Sequence, residues 1–287
     1  MSRIAYVNGR YAPHARAQVS IDDRGYQFAD AVYEVFAVVG GDLVDETAHF
    51  DRLERSLGEI RIPLPLSRPA LRLVLREVVR RNRVRFGLAY LQIGRGVAPR
   101  AHAFPPQAQP SVVVTARALA PEIGEANAVQ GVSVVSVPEI RWARRDIKTT
   151  GLLPNVLARQ KAVEVGAYEA WFVDADGFVT EGAASNAWIV DRAGCLRTHP
   201  LDASILHGVT RRAILELARR TGLDVAERPF TLEEAKNARE AFLTSATSFV
   251  LPVTRVDDAV VANGAPGQLA PALRALYFEA ARGGAPA

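Results

Sequence analysis

Arg141-Trp142-Ala143-Arg144-Arg145-Asp146-Ile147-Lys148-Thr149-Thr150 places a single lysine between an acidic-apolar doublet and a pair of threonines. Gly151, Leu152, Leu153 and Pro154 follow, and a helical pattern begins. A lysine at such a junction stands on ordered backbone close to a core. Burial can push an amine there towards neutrality, which suits a Schiff base. Taken alone, a lysine is far more often a solvated surface residue. Other residues must single this one out.

Two further stretches do so. Val179-Thr180-Glu181-Gly182-Ala183-Ala184-Ser185-Asn186 runs into the apolar segment Ala187-Trp188-Ile189-Val190. A carboxylate at Glu181 can hold a proton on a ring nitrogen, and the small residues let backbone amides approach a flat, charged ligand. By itself Glu181 reads as an ordinary turn acid. Leu206-His207-Gly208-Val209-Thr210-Arg211-Arg212 then leads into a periodic helix. A Gly-x-Thr at a helix start offers N–H groups and a hydroxyl to a phosphate. By itself it reads as a cap, with Thr210 as the capping residue. An amine, a carboxylate and an anion cradle are together what pyridoxal phosphate requires.

With these residues in place the chain resembles the fold-type IV pyridoxal-phosphate aminotransferases, and among them the bacterial D-amino acid aminotransferases. The resemblance covers nearly the whole chain. Its marks are Asp23-Arg24-Gly25-Tyr26-Gln27-Phe28, Val32-Tyr33-Glu34-Val35, His49-Phe50-Asp51-Arg52-Leu53, Arg95-Gly96 with Pro99-Arg100-Ala101-His102, Ile140-Arg141-Trp142 with Asp146-Ile147-Lys148, Thr180-Glu181-Gly182, and Gly208-Val209-Thr210-Arg211. Each is weak alone; their order gives them weight.

The resemblance implies an α+β fold of two domains, a small N-terminal one and a larger C-terminal pseudo-barrel. It implies pyridoxal 5′-phosphate held covalently by Lys148, with Glu181 at the pyridine nitrogen and Arg52 at the phosphate. It also assigns cofactor contacts to Ser185, Asn186, Leu206, Val209, Thr210, Ser245 and Ala246. Ala246 departs from the pattern, since a threonine is expected there; its N–H still donates, and Ser245 or Thr247 offers a hydroxyl. Tyr33, Arg100 and His102 are implied to trap the substrate carboxylate, the last two from the partner subunit of a homodimer. The expected reaction is a ping-pong transfer from a D-amino acid, D-alanine by default, to a 2-oxo acid such as 2-oxoglutarate. Alternatives on the same fold are an (R)-amine or branched-chain transaminase, or aminodeoxychorismate lyase.

Bulk properties agree with a globular enzyme. Apolar residues make up 49% of the 287, enough for a sizeable core. No apolar run approaches the roughly 20 residues of a membrane span. The start, Met1 to Tyr6, lacks a signal-peptide core, and the one cysteine, Cys195, excludes an internal disulfide. Both suggest the cytoplasm. A nucleic-acid-binding or purely interacting protein is a rival of another class, raised only by the pI of about 9.4, since the net charge is just +4. The densest basic stretch, Val78 to Arg85, lacks interleaved aromatics and reads as the solvated end of a helix. No nucleic-acid or membrane partner is therefore expected. No Cys/His spacing suits a metal.

Pattern reading places strands at Ile4–Val7 and Arg10–Tyr11 around an Asn8-Gly9 turn, and at Val32–Val39, Asp42–Val44, Leu88–Ile93 and Val112–Thr115. Helical spacing marks Ala48–Ile60 and Arg68–Asn82. Ala118–Ala128, rich in Ala, Pro, Glu and Gly, has no apolar period and reads as a linker. The expected domains are thus 1–117 and 129–287, joined by 118–128. Later strands are expected at Val132–Val137, Ala170–Val173, Phe178–Val179, Ala187–Val190 and Ala241–Leu243. Later helices are expected at Pro154–Val165, Thr210–Thr221, Thr231–Lys236 and Pro271–Ala281, with a frayed tail at Gly283–Ala287.

Overall fold

A computed structural model describes residues 3–283; the rest of the tail expected to fray lies outside them. The chain forms two compact units. The first is Met1–Pro121 together with Ile147–Gly151, and the second is Glu122–Asp146 together with Leu152–Ala287. Among the described residues no helix is long and apolar enough to cross a membrane.

The first unit is built on six strands: β1 Ile4–Val7, β2 Arg10–Pro13, β3 Ala31–Val39, β4 Asp42–Leu43, β5 Phe86–Gly94 and β6 Ser111–Ala118. They pair antiparallel in the order β2-β1-β6-β5-β3-β4. A short helix α1 (Arg24–Phe28) precedes β3, and α2 (Glu46–Glu59) and α3 (Arg68–Arg81) follow β4. Period-2 alternation turns Val32, Phe36 and Val38 of β3 and Ala89, Leu91 and Ile93 of β5 to one face. Phe50, Leu53 and Leu57 of α2 and Leu71, Leu75, Val78 and Val79 of α3 close over that face. These helical positions recur every three to four residues, which gives each helix one buried stripe.

One polar residue shares the inward face of β3. Glu34 is 0% exposed. Its carboxylate accepts from Arg52 Nε at 2.8 Å and Nη2 at 2.7 Å, and lies 2.7 Å from His49 Nδ1. His49 and Arg52 stand one turn apart on α2, so a single carboxylate fastens that helix to the sheet.

The second unit contains α4 (Pro121–Gln130), β7 (Val132–Pro138), α5 (Leu153–Glu164), β8 (Glu169–Val173), β9 (Val179–Gly182), β10 (Asn186–Val190) and β11 (Leu196–Thr198). It continues with α6 (Val209–Arg220), β12 (Val225–Glu227), α7 (Leu232–Lys236), β13 (Glu240–Ser245), β14 (Phe249–Val256), β15 (Ala259–Val260) and α8 (Leu269–Gly283). The strands run β12-β11-β10-β13-β14-β7-β8-β9, with β15 on β14. β14, β7 and β8 are parallel to one another. A tight turn, in which Gly182 N–H donates to Ser185 C=O at 2.7 Å, returns β9 to β10 and curls the sheet back on itself. Trp171, Ile189, Phe230, Leu243 and Leu251 form its core.

The stretch expected as a linker carries the helix α4. Alanine and glutamate favour helix, and Pro121 suits its first position. The apolar period is missing because Ala128 is its one buried residue. β14 escaped the pattern because Pro252 argues against a central strand. The chain tolerates it because the ladder to β7 begins only at Val253, so the missing N–H falls outside that pairing.

Removing one partner of a buried ion pair leaves the other uncompensated. Glu34→Gln should therefore destabilise the protein by about 3–5 kcal/mol at neutral pH, read by denaturant unfolding. Burial alone would raise the Glu34 carboxyl, but Arg52 and then His49 outweigh it and hold it at about 2, against an ordinary 4.5. A depressed folded value contributes stability above the unfolded value and loses it as pH falls through the folded one. The gap between wild type and Glu34→Gln should be flat above about 4.5 and close as pH falls towards 2. A gap independent of pH down to that point would count against the ion pair.

Candidate active site

In the first unit, residues 147–151 lie alongside β3. Tyr33 N–H donates to Lys148 C=O at 3.0 Å, and Thr150 N–H donates to Ala31 C=O at 3.1 Å. Ile147 is buried in the same core as Val32. This anchors the backbone on both sides of Lys148, whose own N–H points at Ser56 Oγ on α2, 3.4 Å away. The side chain of Lys148 is half-buried. Its Nζ lies 4.3 Å from the centroid of the Tyr33 ring, whose π face attracts a cation. Tyr33 in turn stacks on Tyr90 at 5.6 Å. Because Glu34 points inward, its neighbour Tyr33 must point to the opposite face of the sheet. Arg52 lies one helical turn before Ser56 and is engaged by Glu34 through two nitrogens.

Arg100 and His102 belong to the loop joining β5 to β6, and both are exposed. They flank one ring: the Arg100 guanidinium is 4.6 Å from the centroid of Phe28, and the His102 ring is 5.5 Å from it. Among the described residues neither the Arg100 guanidinium nor the His102 ring has a hydrogen-bond partner. Tyr33 belongs to a separate set of contacts.

In the second unit Glu181 ends on β9, 3% exposed. One oxygen accepts from Arg141 Nη1 at 2.5 Å and the other from Asn186 Nδ2 at 3.0 Å; the Leu206 N–H lies 3.0 Å from both. Burial pushes the Glu181 carboxyl up, against the pull of Arg141 and of the Leu206 N–H. Arg141 is itself held by Glu139 at 2.6 Å and stacks 4.2 Å from the centroid of Phe172. Asn186 also donates to Leu206 C=O at 3.1 Å, which fixes the chain just before α6. A Cβ at Gly208 would stand 2.0 Å from Asn186 Oδ1, so any larger residue there would displace the amide that bonds Glu181.

The start of α6 carries two unmet demands. Its N-cap, Gly208, has no side chain to satisfy the first N–H groups. Thr210 is 3% exposed, yet among the described residues its Oγ1 has no hydrogen-bond partner. A buried hydroxyl left unpaired costs about 1–3 kcal/mol. A dianion at this helix start would satisfy both the hydroxyl and the N–H groups. A carboxylate fixed in a dry setting and a donor-rich helix start, linked through Asn186 and Leu206, fit a protonated ring nitrogen and a phosphate.

The remaining expected residues fall nearby in this unit. Ser185 donates to the buried carboxylate of Glu169 at 3.1 Å, which shapes the turn after Glu181. Asn186 on β10 faces Thr244 on β13, so Ser245 and Ala246 follow directly at the end of β13. Ser245 Oγ accepts the Ser248 N–H at 3.0 Å, and Ala246 begins the turn to β14. The Thr244 hydroxyl accepts from Trp188 Nε1 at 2.9 Å.

Sequence reasoning gave no role to Arg141, Glu139, Glu34 or His49. Arg141 and Glu139 lie in or beside the stretch around Lys148. Nothing local connects them to Glu181, which is distant in sequence.

Residues 31–256 match the family model for amino-transferase class IV. The D-alanine aminotransferase of Bacillus licheniformis is 41% identical over 262 residues, 91% of each chain. That of Listeria monocytogenes serotype 4b (strain F2365) is 39% identical over 274 residues, 95% of this chain and 94% of its own. Among solved structures, the branched-chain aminotransferase of the thermophilic archaeon Thermoproteus uzoniensis with norvaline is similar at a TM-score of 0.86 and 26% identity, covering 99% of this chain and 96% of its own. The family model spans most of the chain and the relatives span nearly all of it: the chain belongs to the amino-transferase class IV family.

Proposed function

We propose that this aminotransferase moves the amino group of a D-amino acid, D-alanine by default, to a 2-oxo acid such as 2-oxoglutarate, using pyridoxal 5′-phosphate. The observation that carries the cofactor reading is the buried, partnerless Thr210 hydroxyl at an uncapped helix start, connected to a buried carboxylate. The relatives named D-alanine aminotransferase support the choice of enantiomer.

When bound, pyridoxal 5′-phosphate supplies a carbonyl carbon for the amino group and a ring that withdraws electrons. Lys148 holds it through its amine. Glu181 keeps the ring nitrogen protonated, and Arg141, Asn186 and the Leu206 N–H keep that carboxylate fixed and oriented. Arg52, Val209, Thr210, Ser245 and Ala246 hold the phosphate, and Ser185 and Asn186 line the ring. Once the substrate amine has replaced it at the carbonyl carbon, the freed Lys148 Nζ would take the proton from the substrate Cα, and the Tyr33 ring would keep the amine in place. Arg100 and His102 bind the substrate carboxylate with Tyr33, a guanidinium being suited to bidentate pairing. Fixing the carboxylate on one side decides which Cα–H meets Lys148, and therefore the enantiomer.

The active form is proposed to be a cytoplasmic homodimer in which Arg100 and His102 serve the partner's site. Leu153, Val156, Leu157 and Val163 of α5 stay exposed, an apolar face suited to a second copy. The branched-chain reading draws support from the solved structure at 26% identity.

Three outcomes are expected. The visible band of the cofactor-loaded protein should bleach with D-alanine and persist with L-alanine; bleaching by L-leucine alone would favour the branched-chain reading. Thr210→Val should weaken cofactor affinity about tenfold, as loss of a hydrogen bond to a charged group does. It should stabilise the cofactor-free chain against unfolding, by up to about 1–3 kcal/mol, since it removes a buried hydroxyl that has no partner there. Arg100→Ala should lower kcat/KM for D-alanine by about 10²–10³-fold. Unchanged turnover would remove Arg100 from the carboxylate site.

A further inference from the structure

The loop carrying Arg100 and His102 is exposed at its tip, yet its base is held by a buried ionic cluster. Asp30, just before β3, accepts from two arginines with the same carboxylate. Arg24 Nε donates to Oδ2 at 2.8 Å, Arg95 Nε to Oδ2 at 2.7 Å, and Arg95 Nη2 to Oδ1 at 3.0 Å. Arg24 and Arg95 are 3% and 6% exposed. Burial would raise the Asp30 carboxyl, but the two guanidinium groups outweigh it and hold it below the usual carboxylate range.

Each arginine spends its remaining donors on main chain or ring. Arg24 Nη1 donates to Ala101 C=O at 2.5 Å and Nη2 to His102 C=O at 3.3 Å, so it grips the peptide units on both sides of the His102 Cα. Its guanidinium also lies 4.9 Å from the centroid of Phe28, the ring that Arg100 and His102 flank. Arg95 donates to Ile60 C=O at 2.7 Å and Arg61 C=O at 3.2 Å, and stacks 3.6 Å from the centroid of Phe104. Backbone bonds from Arg24 N–H to Gly96 C=O at 2.9 Å and from Arg95 N–H to Asp30 C=O at 3.0 Å tie the two segments together. At Gly96, with φ +98°, a Cβ would stand 1.9 Å from Gln109 C=O, so the loop pinches shut at its neck.

We propose that Asp30, Arg24 and Arg95 are positioning residues that hold the Arg100-Ala101-His102 segment, on its Phe28 platform, in the conformation that binds the substrate carboxylate. This rests on the reading that Arg100 and His102 bind that group. A long guanidinium on a mobile loop would lose rotamer and backbone freedom on each binding event. Arg24 removes that loss in advance by fixing the peptides on either side of His102, and Asp30 keeps Arg24 aimed at them.

The test uses Arg24→Lys, Asp30→Asn and Arg100→Ala in the cofactor-loaded enzyme. Arg24→Lys retains the charge beside Asp30 but lacks the second arm that reaches the loop carbonyls. Expected for Arg24→Lys and Asp30→Asn is a KM for D-alanine raised roughly ten- to a hundredfold with kcat within about threefold of wild type. The inhibition constant of propionate, a carboxylate without an amine, should rise by the same factor. Trypsin should cut after Arg100 faster in both variants than in wild type. If Asp30→Asn does not fold, Arg24→Lys carries the test alone. Unchanged KM and propionate inhibition in a folded Arg24→Lys would overturn the proposal, as would a fall in kcat without a change in KM. If Arg100→Ala turns over D-alanine normally, the carboxylate reading itself fails, and the positioning role falls with it. If Arg100→Ala is inactive while Arg24→Lys behaves as wild type, that reading stands and only the positioning role is lost.

Discussion

The inward side chain of Glu34 is the constraint on which the first unit depends. A carboxylate that is completely buried must be paired, and α2 supplies Arg52 and His49 one turn apart to do it. That requirement sets the rotation of α2 about its axis and its position along β3. It also sets the register of β3, because strand side chains alternate. With Glu34 inward, Tyr33 is outward, beside the segment whose backbone it bonds and whose amine lies over its ring. Shifting β3 by one residue would bury a phenol and expose the carboxylate. Lys148 is thus placed by an ion pair on the far side of the sheet.

The second unit solves a related problem with a different balance. Glu181 is also a buried acid with an arginine, but it takes one N–H from the main chain at Leu206 and one from Asn186. Those two contacts lead directly to Gly208 and the start of α6. The charge and the proposed anion cradle are therefore parts of one hydrogen-bonded run, from β9 through β10 to a helix. The Glu34 carboxylate is met on both oxygens by Arg52 and His49. The α6 start differs: its N-cap glycine makes no side-chain cap, and among the described residues the buried Thr210 hydroxyl finds no partner. A buried polar group without a partner calls for an explanation, and the proposed phosphate supplies one at the start of α6.

Much of this was legible in the sequence because it is local. Turn residues, alternating apolar patterns and helical spacing located β1 to β6, α2, α3 and α6 with small shifts at their ends. Lys148, Glu181 and Thr210 stand in short stretches whose chemistry can be read in place. What was illegible is non-local or depends on context. The helix α4 has almost no buried face, so it leaves no period. β14 contains a proline whose harmlessness depends on where a parallel neighbour starts. Arg141 and Glu181 meet only through the fold, as do Arg24 and the carbonyls of the loop before Phe104. A sequence displays which residues carry charge, whereas the pairing of those charges is decided by topology.

The ionic scaffold is written in arginine. Arg24, Arg52, Arg95 and Arg141 hold the clusters described above, and the whole chain has only three lysines: Lys148, Lys161 and Lys236. Lys161 is exposed on α5, and Lys236 is engaged by Glu233 and Asp257 at 3.3 and 3.4 Å. A guanidinium stays protonated at any working pH and does not condense with an aldehyde as an amine does. By building its salt bridges from arginine, the protein presents an electrophilic carbonyl with very few competing side-chain nucleophiles. The same choice that stabilises the fold therefore acts as chemical selectivity under the proposed function, leaving covalent capture to the one amine that β3 holds in place.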